Sequence, residues 1–215
     1  MKMKIESKTV LTSNIFHNPN QIIIFLHGYG SKGDDFSDIV INNMLDKFND
    51  TVFLFPDAPY DCEAGFNGKQ WFSLHDLSYE GIRRGIESSN ILLAEYIKNI
   101  SNKYKVNLND ISLVGFSQGT IMSYEMIYHL PLKKIIAISG LFVAIKNMDI
   151  KSKNDDLEVL IIHGDNDNVV PYNNVRLSSE SLNILGIKHD IFTCHGLGHN
   201  ISQEGIKQII DFINN

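Results

Sequence analysis

Short apolar runs rich in β-branched residues alternate along this chain with longer stretches in which apolar residues return every three or four positions. The runs are residues 22–26, 52–55, 111–114, 135–138 and 159–162. None alternates strictly with polar residues, which is the pattern of strands covered on both faces. Ile82, Ile86, Leu93, Ile97, Ile100 and Tyr104 recur at steps of three, four and seven, which predicts one face of a helix with Ser78 placed to cap its start. Further helices are predicted over 118–129, ended by Pro131, and over 172–185, stopped by Gly186. The last starts from about Ile201 and carries Ile206, Ile209, Ile210 and Ile213 on one stripe. This alternation predicts an α/β fold, a mostly parallel sheet wrapped by helices, with ligands beyond the carboxyl ends of the strands.

One segment breaks the rhythm. Residues 56–80 show no clear period, yet carry Pro56, Pro59, Gly65 and Gly68 together with Tyr60, Phe66, Trp71 and Phe72. Aromatic content of this kind argues against disorder. Two readings stand side by side. Either the loop walls an apolar pocket, which makes Phe66, Trp71 and Phe72 candidate substrate-binding residues, or its aromatics plug into the core.

Composition narrows the classes. At 215 residues, 43% hydrophobic and 20% charged, the chain reads as one globular domain over 1–215. With 19 basic against 25 acidic residues and no basic block, nucleic acid is not an expected partner. Two cysteines, Cys62 and Cys194, read as reduced thiols rather than a disulfide framework. The charged N-terminus has no apolar region behind it, and the apolar runs are too short to span a bilayer. The expectation is a cytoplasmic protein with no stable membrane insertion.

The chemistry concentrates after the strands. Gly115-Phe116-Ser117-Gln118-Gly119 joins a strand to a helix. Such a turn strains the serine backbone and exposes its oxygen, and the glycines are needed where a Cβ would meet neighbouring backbone. Against this stands the plainer reading of Ser117 as a helix N-cap. A serine hydroxyl needs a base to hold its proton, and the base needs a carboxylate to orient it. On such a sheet they follow in the order Ser, Asp or Glu, His. His163 to Pro171 follows one strand and offers Asp165 and Asp167; residues 195–199 follow another apolar stretch and offer His195 and His199. His163, at a strand end, reads as a packed or hydrogen-bonded histidine. An oxyanion hole needs two backbone N–H groups. Gln118, after the serine and at a helix N-terminus, supplies one, and the turn Leu26-His27-Gly28-Tyr29-Gly30 supplies the other. The spacing of His163, Asp165 and Asp167 fits none of the usual zinc patterns, so neither metal nor cofactor is expected.

These segments resemble the phospholipase/carboxylesterase family of small α/β-hydrolases, which includes bacterial carboxylesterases and acyl-protein thioesterases. The resemblance rests on Phe25-Leu26-His27-Gly28-Tyr29-Gly30, Phe55-Pro56-Asp57-Ala58-Pro59, Trp71-Phe72, the segment around Ser117, His163-Gly164 through Pro171, and Gly198-His199. It implies an α/β-hydrolase fold without a large cap domain, in keeping with the short stretch 139–156 after the elbow. It implies Ser117, Asp167 and His199 as the catalytic triad, Tyr29 and Gln118 as the oxyanion N–H donors, and a homodimer. Tyr29 stands where leucine is common, and Ser73-Leu74-His75-Asp76 departs from the usual acidic continuation. The expected activity is hydrolysis of short- to medium-chain acyl esters or thioesters, on a small-molecule, lipid or acylated-protein substrate. The alternatives are a long-chain lysophospholipase or acyl-protein thioesterase and, from another class, a non-catalytic binding protein on the same fold.

Overall fold

The β-branched runs become strands β2 (Gln21–Leu26), β3 (Thr51–Pro56), β6 (Ile111–Phe116), β7 (Lys134–Ile138) and β8 (Glu158–Gly164). With β1 (Ser7–Leu11) and β9 (Lys188–Cys194) they form one seven-stranded sheet in the order β1-β3-β2-β6-β7-β8-β9. Only β1 runs antiparallel to its neighbour. This computed structural model describes residues 5–12, 19–65, 67–145 and 155–215.

Successive residues of each strand point to opposite faces, and both faces of the five central strands are buried, while the edge strands β1 and β9 are partly exposed. Ile22, Ile24, Leu26, Leu113, Ile135 and Ile161 pack on one side against Ile86, Leu93 and Ile97 of α2 (Tyr79–Tyr104), Met122 of α3 (Gln118–Glu125) and Leu182 of α4 (Asn173–Ile184). Ile23, Phe25, Phe53, Val114, Ile136 and Leu160 pack on the other against Phe36 and Val40 of α1 (Asp34–Asn43) and Ile206, Ile209 and Ile213 of α5 (Gln203–Asn214). The helix signals read correctly. Ser78 caps α2 by accepting from Gly81 N–H at 3.1 Å, and Gly186 follows α4 at φ +70°.

The segment 56–80 folds around a two-residue hairpin, β4 (Tyr60–Asp61) with β5 (Lys69–Gln70). Trp71 and Phe72 are 0% and 1% exposed and sit in the core under α2. The pocket-wall expectation is therefore corrected for both: their apolar area is buried against α2 and the sheet rather than offered to a ligand. Phe66 lies outside the described residues.

Candidate active site

The carboxyl ends of β2, β6, β8 and β9 lie along one rim, because those strands run parallel. Ser117 follows β6 at φ 54°, ψ −114°, a conformation that costs a non-glycine residue roughly 1–3 kcal/mol. Its surroundings hold it there. Ser117 N–H donates to Ile138 O at 2.9 Å, and Thr120 Oγ1 lies 2.8 Å from both Gly115 O and Ile138 O. A Cβ on Gly119 would stand 2.0 Å from Leu26 O, and one on Gly115 would stand 2.5 Å from Gly119 O. Neither position accepts a side chain, which is why the turn needs glycine there.

Two His–Asp pairs form at the ends of β8 and β9, and they differ in kind. His195 Nδ1 meets Asp165 Oδ2 at 2.8 Å in the open, with 86% of the imidazole exposed. His199 Nδ1 meets Asp167 Oδ2 at 2.8 Å with the carboxylate wholly buried. Asp167 Oδ1 also accepts from Val169 N–H at 2.9 Å and Val170 N–H at 2.8 Å. Burial alone would raise the Asp167 pKa; the hydrogen bonds from His199, Val170 and Val169 outweigh it and hold the carboxyl below its ordinary value. His163 is buried beneath, its Nε2–H donating to Val170 O at 2.8 Å and lying 3.4 Å from Asp167 Oδ2. His163 is thus the packed, hydrogen-bonded histidine expected. It lies against Asp167, which His199 also meets, while Asp165 faces His195.

Ser117 and His199 open onto one cleft of about 270 Å³, shared with Gly28, Tyr29, Phe36, Ile39 and Ile201. Since Nδ1 of His199 is taken by Asp167, Nε2 is the ring atom available to the hydroxyl. No closed Ser117 Oγ–His199 hydrogen bond is formed among the described residues; such contacts commonly tighten only with substrate bound. The Phe116 ring, 4.8 Å from the imidazole, backs it. Gln118 opens α3, so its N–H has no acceptor within the helix. The turn at Tyr29 is shaped by Ser31 N–H donating to Gly28 O at 3.3 Å and Gly30 N–H to Lys69 O at 2.9 Å. Burial, then contact with Cys62 and Glu63, raises the Tyr29 phenol to about 12, so it stays protonated.

A sequence profile described as Phospholipase/Carboxylesterase matches residues 12–215. The chain belongs to the phospholipase/carboxylesterase family. Within it, the chain is 32% identical to acyl-protein thioesterase 1 of Candida albicans, over 90% of each chain. It is 29% identical to acyl-protein thioesterase 1 homolog 1 of Dictyostelium discoideum, over 89% of this chain and 88% of the other. The crystal structure of esterase PE8 superposes with a TM-score of 0.87 at 32% identity, covering 98% of both chains. The fold is the α/β-hydrolase fold, and the chain is a serine hydrolase of the esterase and thioesterase class.

For a phospholipase/carboxylesterase family member, several parts of this site escaped the sequence reading. Phe36, Ile39 and Ile201 line the cleft, and the Phe116 ring packs at a tilt against His199. The step Phe36, Ile39, Val40 carries a helical period that marks α1. The sequence places His27 only in a turn. It is fully buried, donating from Nδ1 to Gly28 O at 2.7 Å and accepting Ala58 N–H at Nε2 at 2.9 Å. That pair of bonds requires the neutral ring, and burial lowers its pKa in the same sense. No helix among the described residues is long and apolar enough to cross a membrane.

Proposed function

We propose that the chain hydrolyses short- to medium-chain acyl esters or thioesters, with Ser117 as nucleophile, His199 as general base, Asp167 as orienting carboxylate, and the N–H groups of Tyr29 and Gln118 as the oxyanion hole. One observation carries the reading: a serine held at a strained strand-to-helix turn shares its cleft with a histidine whose other nitrogen is bonded to a buried carboxylate. Donation from His199 Nδ1–H to Asp167 leaves Nε2 unprotonated. That atom takes the Ser117 proton as Oγ attacks the carbonyl, then returns it to the departing alcohol or thiol. A water activated by the same Nε2 releases the acyl group from Ser117. The carbonyl oxygen gains its charge in front of Tyr29 and Gln118 N–H, where a preset donor is worth most.

The chain-length limit rests on the cleft. At about 270 Å³ it falls just below the roughly 300–1,000 Å³ that receive drug-sized ligands, and Phe36, Ile39, Phe116 and Ile201 make it apolar. The relatives named acyl-protein thioesterase support thioesters, and longer acyl chains, as the second reading. Free Cys62 and Cys194 fit a reducing compartment such as the cytoplasm. The test is labelling by a fluorophosphonate probe, with p-nitrophenyl esters from acetate to palmitate as substrates. Ser117→Ala should fold normally, take no label, and lose turnover by about six orders of magnitude. Retention of a few per cent of wild-type activity would exclude Ser117 as nucleophile, and a palmitate optimum would favour the second reading.

A further inference from the structure

Trp71 is fully buried, yet each of its polar groups is committed. Its backbone N–H donates to Gln118 Oε1 at 2.8 Å, its indole Nε1–H donates to His27 O at 2.9 Å, and its carbonyl accepts from Ser89 Oγ on α2. Gln118 completes the clamp by donating from Nε2 to Phe72 O at 2.8 Å. Two of these three partners of Trp71 belong to the two halves of the oxyanion hole: Gln118 itself, and His27, which leads into Gly28-Tyr29. The adjoining β5 adds to this. Lys69 O accepts from Gly30 N–H at 2.9 Å, and Lys69 N–H donates to Ser31 O at 2.8 Å. A Cβ on Gly68 would stand 1.9 Å from Gly30 O, so β5 lies directly on the turn.

We infer that Trp71 and the side chain of Gln118 form a positioning pair that fixes the separation between the Tyr29 and Gln118 N–H donors. The inference rests on the reading of those donors as the oxyanion hole. Neither Trp71 nor the Gln118 amide group touches substrate. Their effect is geometric: the donors sit on separate loops, after β2 and after β6, and the segment 68–72 ties one loop to the other. Donor hydrogen bonds to an oxyanion work over a window of a few tenths of an ångström, 2.7–3.1 Å. A drift of about 1 Å in such a site can cost about a hundredfold.

The experiment is kcat per active serine, with the serines counted by fluorophosphonate titration run to completion, alongside the Ki of a boronic acid that mimics the tetrahedral intermediate. Trp71→Phe keeps a ring and removes the indole N–H. Gln118→Met keeps the backbone N–H and removes the clamp. Ser89→Ala, the mildest change, loosens the Trp71 carbonyl if the other two fail to fold. Leu93→Ala, in the same core, is the control for lost stability.

Trp71→Phe and Gln118→Met should each lower kcat per serine roughly tenfold to a hundredfold. The boronate Ki should rise in proportion, KM should change little, and the pH profile of kcat should not move. Leu93→Ala should lower Tm and leave kcat per serine unchanged. Ser89→Ala should show the same pattern as the first two variants in smaller measure. If the variants that fold keep wild-type kcat per serine and wild-type Ki, Trp71 is a core residue and nothing more, and the inference falls while the triad stands. If the wild type takes no label at Ser117, both fall.

Discussion

Replacing Asp167 by Asn is the sharpest perturbation of the proposed relay, because the structure decides which way the amide must face. Asp167 Oδ1 accepts two backbone N–H groups, from Val169 at 2.9 Å and Val170 at 2.8 Å, and only the amide oxygen can replace it there. Turning the amide round would leave both N–H groups against an NH2, at roughly 1–3 kcal/mol for each buried donor without an acceptor. The NH2 group therefore faces His199 Nδ1, 2.8 Å from the present Oδ2. Nδ1 must then accept rather than donate, which moves the ring proton to Nε2, the atom that has to receive the serine proton. The same exchange of tautomer in a serine-protease triad lowers kcat about ten-thousandfold. At 1.36 kcal/mol per decade that is about 5.4 kcal/mol of transition-state stabilisation. The assay is kcat/KM on p-nitrophenyl acetate from pH 5 to 10, with a thermal melt of the same preparation. A folded Asp167→Asn enzyme that loses less than tenfold at pH 7 would refute both the tautomer reasoning and the assignment of Asp167.

Other outcomes separate the site from its surroundings. His195→Ala and Asp165→Asn should leave kcat/KM within about twofold of wild type, since exposed charge pairs contribute little; a loss near that of Asp167→Asn would make this second pair the working one. Ile39→Ala should deepen the cleft and move the acyl-length optimum upward, at about 0.8 kcal/mol, or roughly fourfold in kcat/KM, for each further methylene buried; an unmoved optimum would remove Ile39 from the acyl site. Glu125 holds Arg83 in a two-pronged contact at 2.7 and 3.2 Å with its side chain 2% exposed, so Glu125→Gln should cost about 3–5 kcal/mol and lower Tm by about 6–20 °C. Burial would raise the Glu125 pKa, but His129, Arg83 and Asn90 hold it below the ordinary value. The stability it contributes is therefore fully present above the unfolded value of about 4.3 and is lost as pH falls through the lowered one. The Tm gap between wild type and Glu125→Gln should close in that acid window; a constant gap would show that the charge contributes nothing.

Nearly all of the central sheet was legible, because a strand covered on both faces is apolar at nearly every position and a chain has few such runs. What escaped depended on partners remote in sequence. β1 carries Ser7, Lys8 and Thr9, and it is a strand because Lys8 to Leu11 find Val52 to Phe55 across the antiparallel edge. The hairpin β4–β5 is two residues a side, with no periodicity to detect. α1, absent from the predicted helices, follows Lys32 and Gly33 and opens on Asp34 and Asp35, a charged start with no apolar period, although Phe36, Ile39 and Val40 carry the helical step.

The site divides along the same line. Ser117 was legible because a strained turn between a strand and a helix demands glycines nearby, and glycines are visible in a sequence. The residues by themselves leave Asp165–His195 and Asp167–His199 both open, since both carboxylates stand in one turn and both histidines in another, and it is the family resemblance that favours the second pair. Burial is what separates them: Asp167 is sealed beneath Val169 and Val170 N–H groups that no spacing rule reveals, whereas Asp165, though it too accepts a backbone N–H from Gly196, keeps 36% of its side chain exposed. Trp71 is the instructive error. An aromatic in a long irregular loop fits either a pocket wall or a core plug, and its sequence neighbours are the same in both cases. Only the three-dimensional contacts of its N–H, indole and carbonyl, reaching to Gln118, His27 and Ser89, tell the two apart. They also give the loop a reason to be long. A chain segment that must touch the ends of β2 and β6 at once, and then reach the start of α2, cannot be a tight turn.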